Sequence, residues 1–322
     1  MERLDQMVGA PYKLLLKPIF CEKELRSHSM TEQMTEQPAG PFAPAESSAA
    51  AHNDRIEVAR RGGIITITLN RPRVKNALDA EGWAALGDAL EAVASDPDAR
   101  VLIITGAGGD FCSGTDLGGK KDEHPTTSLR RLNRAASALM ELPIPVIARV
   151  EGVAVGAGWN IALCCDFVVA STTARFGQIF VHRGLSPDFG GTWLLPHLVG
   201  IQQAKRLAML PELIGADEAV ELGLVTWVVP PEKLDSHVDG IAHRLAAGPP
   251  VALAQTKALI NSGSTGSFHS ALAAEGRAQV VNFATADAPA ARAAFLAKAT
   301  PVFTGEWIPH SMAPFGGGLR NT

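Results

Sequence analysis

Apolar and polar positions first organise after Arg55, where Ile65, Ile67 and Leu69 alternate with Thr66 and Thr68, the period of a half-buried strand. Asn70-Arg71-Pro72 stops it. The period then changes. Asp79 suits a helix N-cap, and Trp83, Leu86, Leu90 and Val93 follow at helical spacing until Asp96-Pro97-Asp98 closes the element. A short apolar strand is expected at 101–105, bounded by Gly106-Ala107-Gly108-Gly109, and a second at 110–117 that ends in a small-residue turn. A helix around 129–141 ends at Pro143 and Pro145, and 146–150 is a strand. Residues 150–160 form a strand that breaks into glycines, with helical character over 156–165, and 167–170 returns to strand. Strands and helices taking turns in this way predict an α/β domain with parallel pairing.

Beyond about residue 201 the pattern shifts to helix. The segments 202–209, 217–222, 251–260, 268–283 and 289–298 all carry helical spacing, and Gly223 is placed to end the second of them. The predicted organisation is an α/β core at 54–247 and a helical C-terminal region at 248–322 with a frayed tail. Residues 1–53, rich in Pro, Ala, Ser, Gln and Glu without periodicity over 27–53, are expected to be a disordered extension.

Composition narrows the chemistry. A net charge of −4, with no Lys/Arg-dense helix and no aromatic-basic interleaving, argues against nucleic acid as a partner. The four cysteines (Cys21, Cys112, Cys164, Cys165) form no framework, and the adjacent pair reads as small core fillers. No Cys-x-x-Cys and no His-Glu-x-x-His occurs, so no metal is expected. The longest apolar run, 152–165, is shorter than the ~18–20 residues a membrane span needs, and a cytoplasmic location is expected.

Three segments remain that carry chemistry. Residues 110–117 and 150–160 each expose backbone N–H groups at a turn, and residues 184–196 place one carboxylate, Asp188, at a tight turn between apolar segments. Such turns with one sequestered acid suit chemistry on a carbonyl, the amides holding an enolate oxygen and the acid moving a proton. Taken alone, each glycine turn could be a plain strand–helix junction, and Asp188 a turn or N-cap residue after Pro187. A dinucleotide site is the other glycine reading, but Gly152-x-x-x-Gly156-x-Gly158 is not Gly-x-Gly-x-x-Gly.

Together these segments amount to a resemblance. Asn70-Arg71-Pro72, Phe111 to Leu117, Gly152 with Gly156-Ala157-Gly158, Cys165-Asp166, Phe176-Gly177-Gln178, the run Gly184 to Thr192, Ala219 with Leu222 to Val225, and Phe295 with Lys298 stand in the order seen in the crotonase (enoyl-CoA hydratase/isomerase) superfamily. The resemblance implies a spiral of β-β-α repeats with a helical C-terminal oligomerisation region, assembled as a homotrimer or dimer of trimers. It implies coenzyme A as part of the substrate and no separate cofactor. It assigns the oxyanion amides to Thr115 and Ala157. Coenzyme A contacts fall to Ser113, Asp116, Leu117, Phe295 and Lys298, the last a point charge for a phosphate. The two glutamates by which family hydratases activate water are replaced here by Asn160 and Phe180. Asp188 stands where several isomerases of the superfamily, the phenylacetate-pathway enzyme among them, carry an acid/base aspartate, and where a dehalogenase carries a nucleophile.

Three readings follow: an enoyl-CoA or epoxyphenylacetyl-CoA isomerase, an enoyl-CoA hydratase that has recruited another acid, and an acyl-CoA-binding scaffold without a useful acid. Asp188 separates the first from the third, and Asn160 and Phe180 count against the second. Phe180, Trp159, Phe189 and Trp193 are candidates to line an acyl pocket, or are plain core. His182 lies near in sequence with nothing to fix its orientation.

Overall fold

The computed structural model describes residues 54–118 and 124–308; the expectations for residues 1–53 and for the tail beyond 308 lie outside them. The strands are β1 (Ile56–Arg61), β2 (Ile64–Leu69), β3 (Val101–Gly106), β4 (Val146–Val150), β5 (Val153–Val155), β6 (Phe167–Ser171), β7 (Arg175–Gly177), β8 (Ile214–Gly215) and β9 (Trp227–Val229). The helices are α1 (Ala80–Ala94), α2 (Pro125–Met140), α3 (Ala157–Cys164), α4 (Gly191–Met209), α5 (Ala216–Glu221), α6 (Pro231–Ala246), α7 (Pro250–Gly263), α8 (Phe268–Phe283) and α9 (Asp287–Ala297).

A six-stranded sheet runs in the order β1-β2-β3-β4-β6-β9, and a three-stranded sheet in the order β5-β7-β8. In the larger sheet only the β1–β2 pair is antiparallel. One face of β2 turns Ile65, Ile67 and Leu69 into the main core with α1, α2 and α3, as the alternation predicts. Its other face turns Ile64 beside Val101, Ile103 and Ile147 toward α6. Helix α1 begins where its pattern begins, with the Asp79 carboxylate accepting from the Gly82 N–H at 2.8 Å.

Three elements differ from the pattern. Residues 110–117 are not a strand: only Cys112, bridged to Ala154, and Thr115, bridged to Leu78, pair with neighbours. Glycine at 114 with φ +92° breaks any continuous ladder. Helix α4 starts at Gly191 rather than 202, because two helical pieces meet at Gly200 (φ 75°). Helix α6 was not predicted at all, although Leu234, Val238 and Ala242 recur every fourth residue and are fully covered. Burying a Leu or Val there contributes about 1.5–3 kcal/mol.

The C-terminal helices attach at identifiable points. Lys257 Nζ on α7 lies 2.8 Å from Asp166 Oδ2 and donates to the Ile144 carbonyl at 3.1 Å. The same Asp166 oxygen accepts from the Val146 N–H at 2.7 Å, which accounts for an aspartate after Cys165. Helix α8 packs on α7, and α9 on α8. Phe268, Val280, Phe283, Phe295 and Leu296 stand exposed on these last two helices. Among the described residues, no helix is long and apolar enough to cross a membrane.

Candidate active site

Two backbone turns meet at the head of α3. Cys112 pairs in parallel with Ala154, its N–H donating to the Val153 carbonyl at 2.9 Å and its carbonyl accepting from Val155 at 3.0 Å. Two residues on, the Leu78 N–H donates to the Gly114 carbonyl, and the Asp116 N–H donates to the Leu78 carbonyl. This parallel bridge uses the groups on either side of Thr115 and leaves the Thr115 N–H pointing away from Leu78. A Cβ on Gly158 would stand 2.2 Å from the Cys112 carbonyl oxygen, so only glycine lets the two turns approach this closely. A Cβ on Gly114 would stand 3.3 Å from the Ala157 nitrogen.

Ala157 is the first residue of α3, where an N–H has no partner within its own helix. Its φ is not positive, so alanine serves as well as glycine. Neither the Thr115 nor the Ala157 N–H donates to any described residue. Two unpartnered donors thus stand at adjacent turns, one at a helix N-terminus, where partial positive charge favours an anion.

The loop that carries Thr115 is braced from the Asn70-Arg71-Pro72 segment. Arg71 Nη1 donates to the Ala77 carbonyl at 2.6 Å and to Asp116 Oδ2 at 3.0 Å. Asn76 Oδ1 accepts from the Arg71 N–H, and Asn76 Nδ2 donates to the carbonyls of Ala107 and Asp110. Ser113 Oγ donates to the Val74 carbonyl. The Asp116 carboxylate is therefore engaged within the chain, and Leu117 is exposed at the loop's edge.

Asp188 lies beside α3, in the turn that leads into α4. A 3₁₀ turn over Ile179–Arg183 ends at left-handed Gly184, and the chain then reaches Asp188. Phe189 (φ 48°) and Gly190 (φ 77°) reverse it into α4. Phe189 anchors this turn by burial against Trp83, ring centroids 5.5 Å apart. The Asp188 carbonyl accepts from the Gly191 N–H at 3.0 Å and from Asn160 Nδ2 at 2.8 Å. Asn160 sits three residues after Ala157, so just under one turn of α3, a ~4.5 Å rise, links the acid's turn to the free amide.

The Asp188 carboxyl oxygen Oδ1 is buried and accepts no hydrogen bond. Burial raises its pKa to about 6, and its own backbone N–H opposes the rise. The sign for stability follows. Between an unfolded value of ~3.9 and about 6 the folded chain binds the extra proton, so stability from this group falls as pH rises through that window. Asp188→Asn is expected to raise unfolding free energy by about 1–3 kcal/mol near pH ~8, after allowance for partial exposure, and by almost nothing near pH ~4. Urea unfolding of both proteins across that range checks it.

The aromatics divide. Phe180 is almost covered, and a Cβ on Gly156 would meet its ring at 3.7 Å, so it lies against the turn that carries the Ala157 amide. Trp159 is core, packed on Phe176, and Trp193 stacks on His197 at the surface. His182 is exposed, and its ring makes no hydrogen bond among the described residues. Phe295, 82% exposed, and Lys298, at the left-handed end of α9, stand on a helix that packs on α8 rather than on the turns above. Burial pushes the Cys112 and Cys164 thiols up to about 12 and the Cys165 thiol well above the usual thiol range, which suits fillers and not nucleophiles.

Two groups escaped the sequence reading: the Arg71–Asn76 brace and the side chain of Asn160. The first had a signal in the Asn-Arg-Pro stop. The second had only its place near the glycines.

Comparison with known proteins adds to this geometry. A sequence model described as enoyl-CoA hydratase/isomerase matches residues 59–306. The chain is 39% identical over 251 residues to a 1,2-epoxyphenylacetyl-CoA isomerase of Escherichia coli, covering 76% of this chain and 96% of that one. It is 37% identical to a crotonyl-CoA hydratase of Syntrophomonas wolfei, covering 76% and 96%. A crystal structure of an enoyl-CoA hydratase from Bacillus anthracis, 33% identical, superposes with a TM-score of 0.75 over 78% of this chain and 100% of that one. The crotonase resemblance and its fold are borne out.

Proposed function

The chain is a member of the enoyl-CoA hydratase/isomerase family, and we propose that within it the protein is an isomerase of unsaturated or ring-epoxide acyl-CoA thioesters. The observation that carries the reading is Asp188, a carboxyl with a buried, unpartnered oxygen and a raised pKa. Its turn is tied through the Asn160 side chain to α3, the helix whose first residue carries the free Ala157 amide. A group titrating near neutrality is suited to taking a proton and giving it back.

In an enoyl substrate the thioester oxygen accepts from the N–H groups of Thr115 and Ala157. Asp188 removes a proton from the carbon next to the double bond, and the C–H electron pair passes into the thioester as an enolate. The double bond shifts along the conjugated system, and Asp188, its acquired proton exchanging with solvent, delivers a proton at another carbon. No water is added and nothing is oxidised. General acid–base catalysis supplies ~10²–10⁴-fold, and each amide a further ~10²–10³-fold. Coenzyme A enters as part of the substrate, without a separate cofactor. Ser113, Asp116 and Leu117 line its path, Asp116 through its backbone since Arg71 holds the carboxylate. Phe295 and Lys298 reach it from a neighbouring subunit of a homotrimer or dimer of trimers, an assembly that would cover the apolar side chains on α8 and α9. The place of action is the cytoplasm.

Hydration is the alternative, since relatives carry both names. Two features weigh against it. Asn160 can neither give up nor take on a proton near neutral pH, and its amide is already committed to Asp188 and Gln178. Phe180 puts a ring where the second acid would stand. Incubation with crotonyl-CoA in ¹⁸O-water is therefore expected to leave 3-hydroxyacyl-CoA at background, while a 3-enoyl-CoA is converted to its 2-enoyl isomer. Robust ¹⁸O incorporation would overturn the isomerase assignment.

A further inference from the structure

We infer that Asn160 and Gln178 are positioning residues: a buried relay of two side-chain amides that fixes the backbone of the Asp188 turn and so aims the catalytic carboxyl. The inference rests on the reading of Asp188 as the acid/base.

Both amides are fully covered. Gln178 Nε2 donates to Asn160 Oδ1 at 2.7 Å, and Asn160 Nδ2 donates to the Asp188 carbonyl, 28 residues away, at 2.8 Å. The bonds run in one direction, donor to acceptor, so each polarises the next. Only an amide can fill the middle place. A carboxylate there would accept from Gln178 but could not donate to a carbonyl. A glutamate would also be one methylene too long. The position where family hydratases carry a proton-transferring acid therefore has a different task in this chain.

The surroundings are shaped to the relay. A Cβ on Gly191 would stand 2.5 Å from Asn160 Nδ2, so the start of α4 lies directly on the amide. The Gly191 N–H supplies the second hydrogen bond to the Asp188 carbonyl. Phe189 is held at a φ of 48°, which a bulky residue adopts only when its surroundings over-determine it. The turn is thus gripped from α3 through Asn160, from α4 through Gly191 and from α1 through the Trp83–Phe189 contact. Freed from Asn160, it could let the carboxyl swing to water. Neither α3 nor the first turn of α4 carries a charged side chain, and His182 and Arg183 on the 3₁₀ turn are exposed. Burial is what holds Asp188 away from its ordinary value.

The test uses the full-length protein with Asn160→Leu, Gln178→Leu, Asp188→Asn and the Asn160→Leu/Asp188→Asn pair. Solvent-deuterium exchange and double-bond migration of a 3-enoyl-CoA are followed across pH. Asn160→Leu should lower kcat by ~10–100-fold, the loss expected of a ~1 Å misplacement, with KM within about twofold. Its acid limb should move down from about 6 toward the usual carboxylate range as water reaches the carboxyl. Gln178→Leu should do the same more weakly. In the Asp188→Asn background, Asn160→Leu should have no further effect on rate, because the relay acts only through the acid. If Asn160→Leu does not fold by circular dichroism, Gln178→Leu carries the test through the same shift of limb.

An unchanged kcat and limb, or additive losses in the double variant, would overturn the positioning role while leaving Asp188 as the base. A single Asp188→Asn variant as fast as the parent would instead overturn the acid–base reading beneath it.

Discussion

Asp188→Asn is expected to lower kcat for double-bond migration by ~10²–10⁴-fold, while the Kd for the acyl-CoA should change by less than about threefold. The amide of asparagine keeps the size and the backbone hydrogen bonds of the turn but can neither take up nor return a proton. Because burial raises the carboxyl's pKa to about 6, the parent's kcat is expected to rise with pH through about 6 and level off above it. The variant has no such limb. Steady-state rates with a 3-enoyl-CoA across pH, beside calorimetric binding of the same thioester, check both parts. A variant that retains more than about a tenth of the parent rate removes Asp188 from the chemistry, since that loss is below the range of general bases.

Ala157→Pro tests the other half of the site. Proline at the first position of a helix is tolerated, because the N–H it lacks has no intrahelical partner there. The Ala157 N–H bonds to no described residue, so its removal should cost little stability. The loss should fall on the transition state, where the enolate oxygen is left with Thr115 alone and the proline ring crowds its place. The expected result is a ~10²–10³-fold drop in kcat, about 3–4 kcal/mol, with an unchanged circular dichroism spectrum and a Tm close to the parent's. An enzyme of normal rate would show that the enolate oxygen is held elsewhere.

What could be read from the sequence was what repeats locally. The alternation at Ile65, Ile67 and Leu69 and the helical spacing from Trp83 to Val93 depend on one buried face, and both elements lie where that face predicts. The two amide turns could be seen because close approach of backbones demands glycine, as at Gly114 and Gly158. Strands β5, β7 and β8 run for only two or three residues, too short for a period to register. Residues 110–117 read as a strand that ends in a small-residue turn, yet two isolated bridges are all the pairing they make. Asn160 reads from the sequence as a lost acid. Its bond to a carbonyl 28 residues on is a tertiary contact that no spacing encodes. The raised pKa of Asp188 is equally invisible, since it comes from burial rather than from any neighbour in the chain.

The central claim is that Asp188 carries a proton between two carbons of an acyl-CoA held at the Thr115 and Ala157 amides. The measurement closest to it is the mass of the acyl-CoA recovered after incubation of parent and Asp188→Asn with a 3-enoyl-CoA in deuterated water. The account predicts that the parent incorporates deuterium at carbon in step with double-bond migration, with no mass gain from added water, and that Asp188→Asn incorporates almost none. Deuterium entering carbon at the parent's rate in Asp188→Asn, or a hydrated product as the main species from the parent, would contradict it.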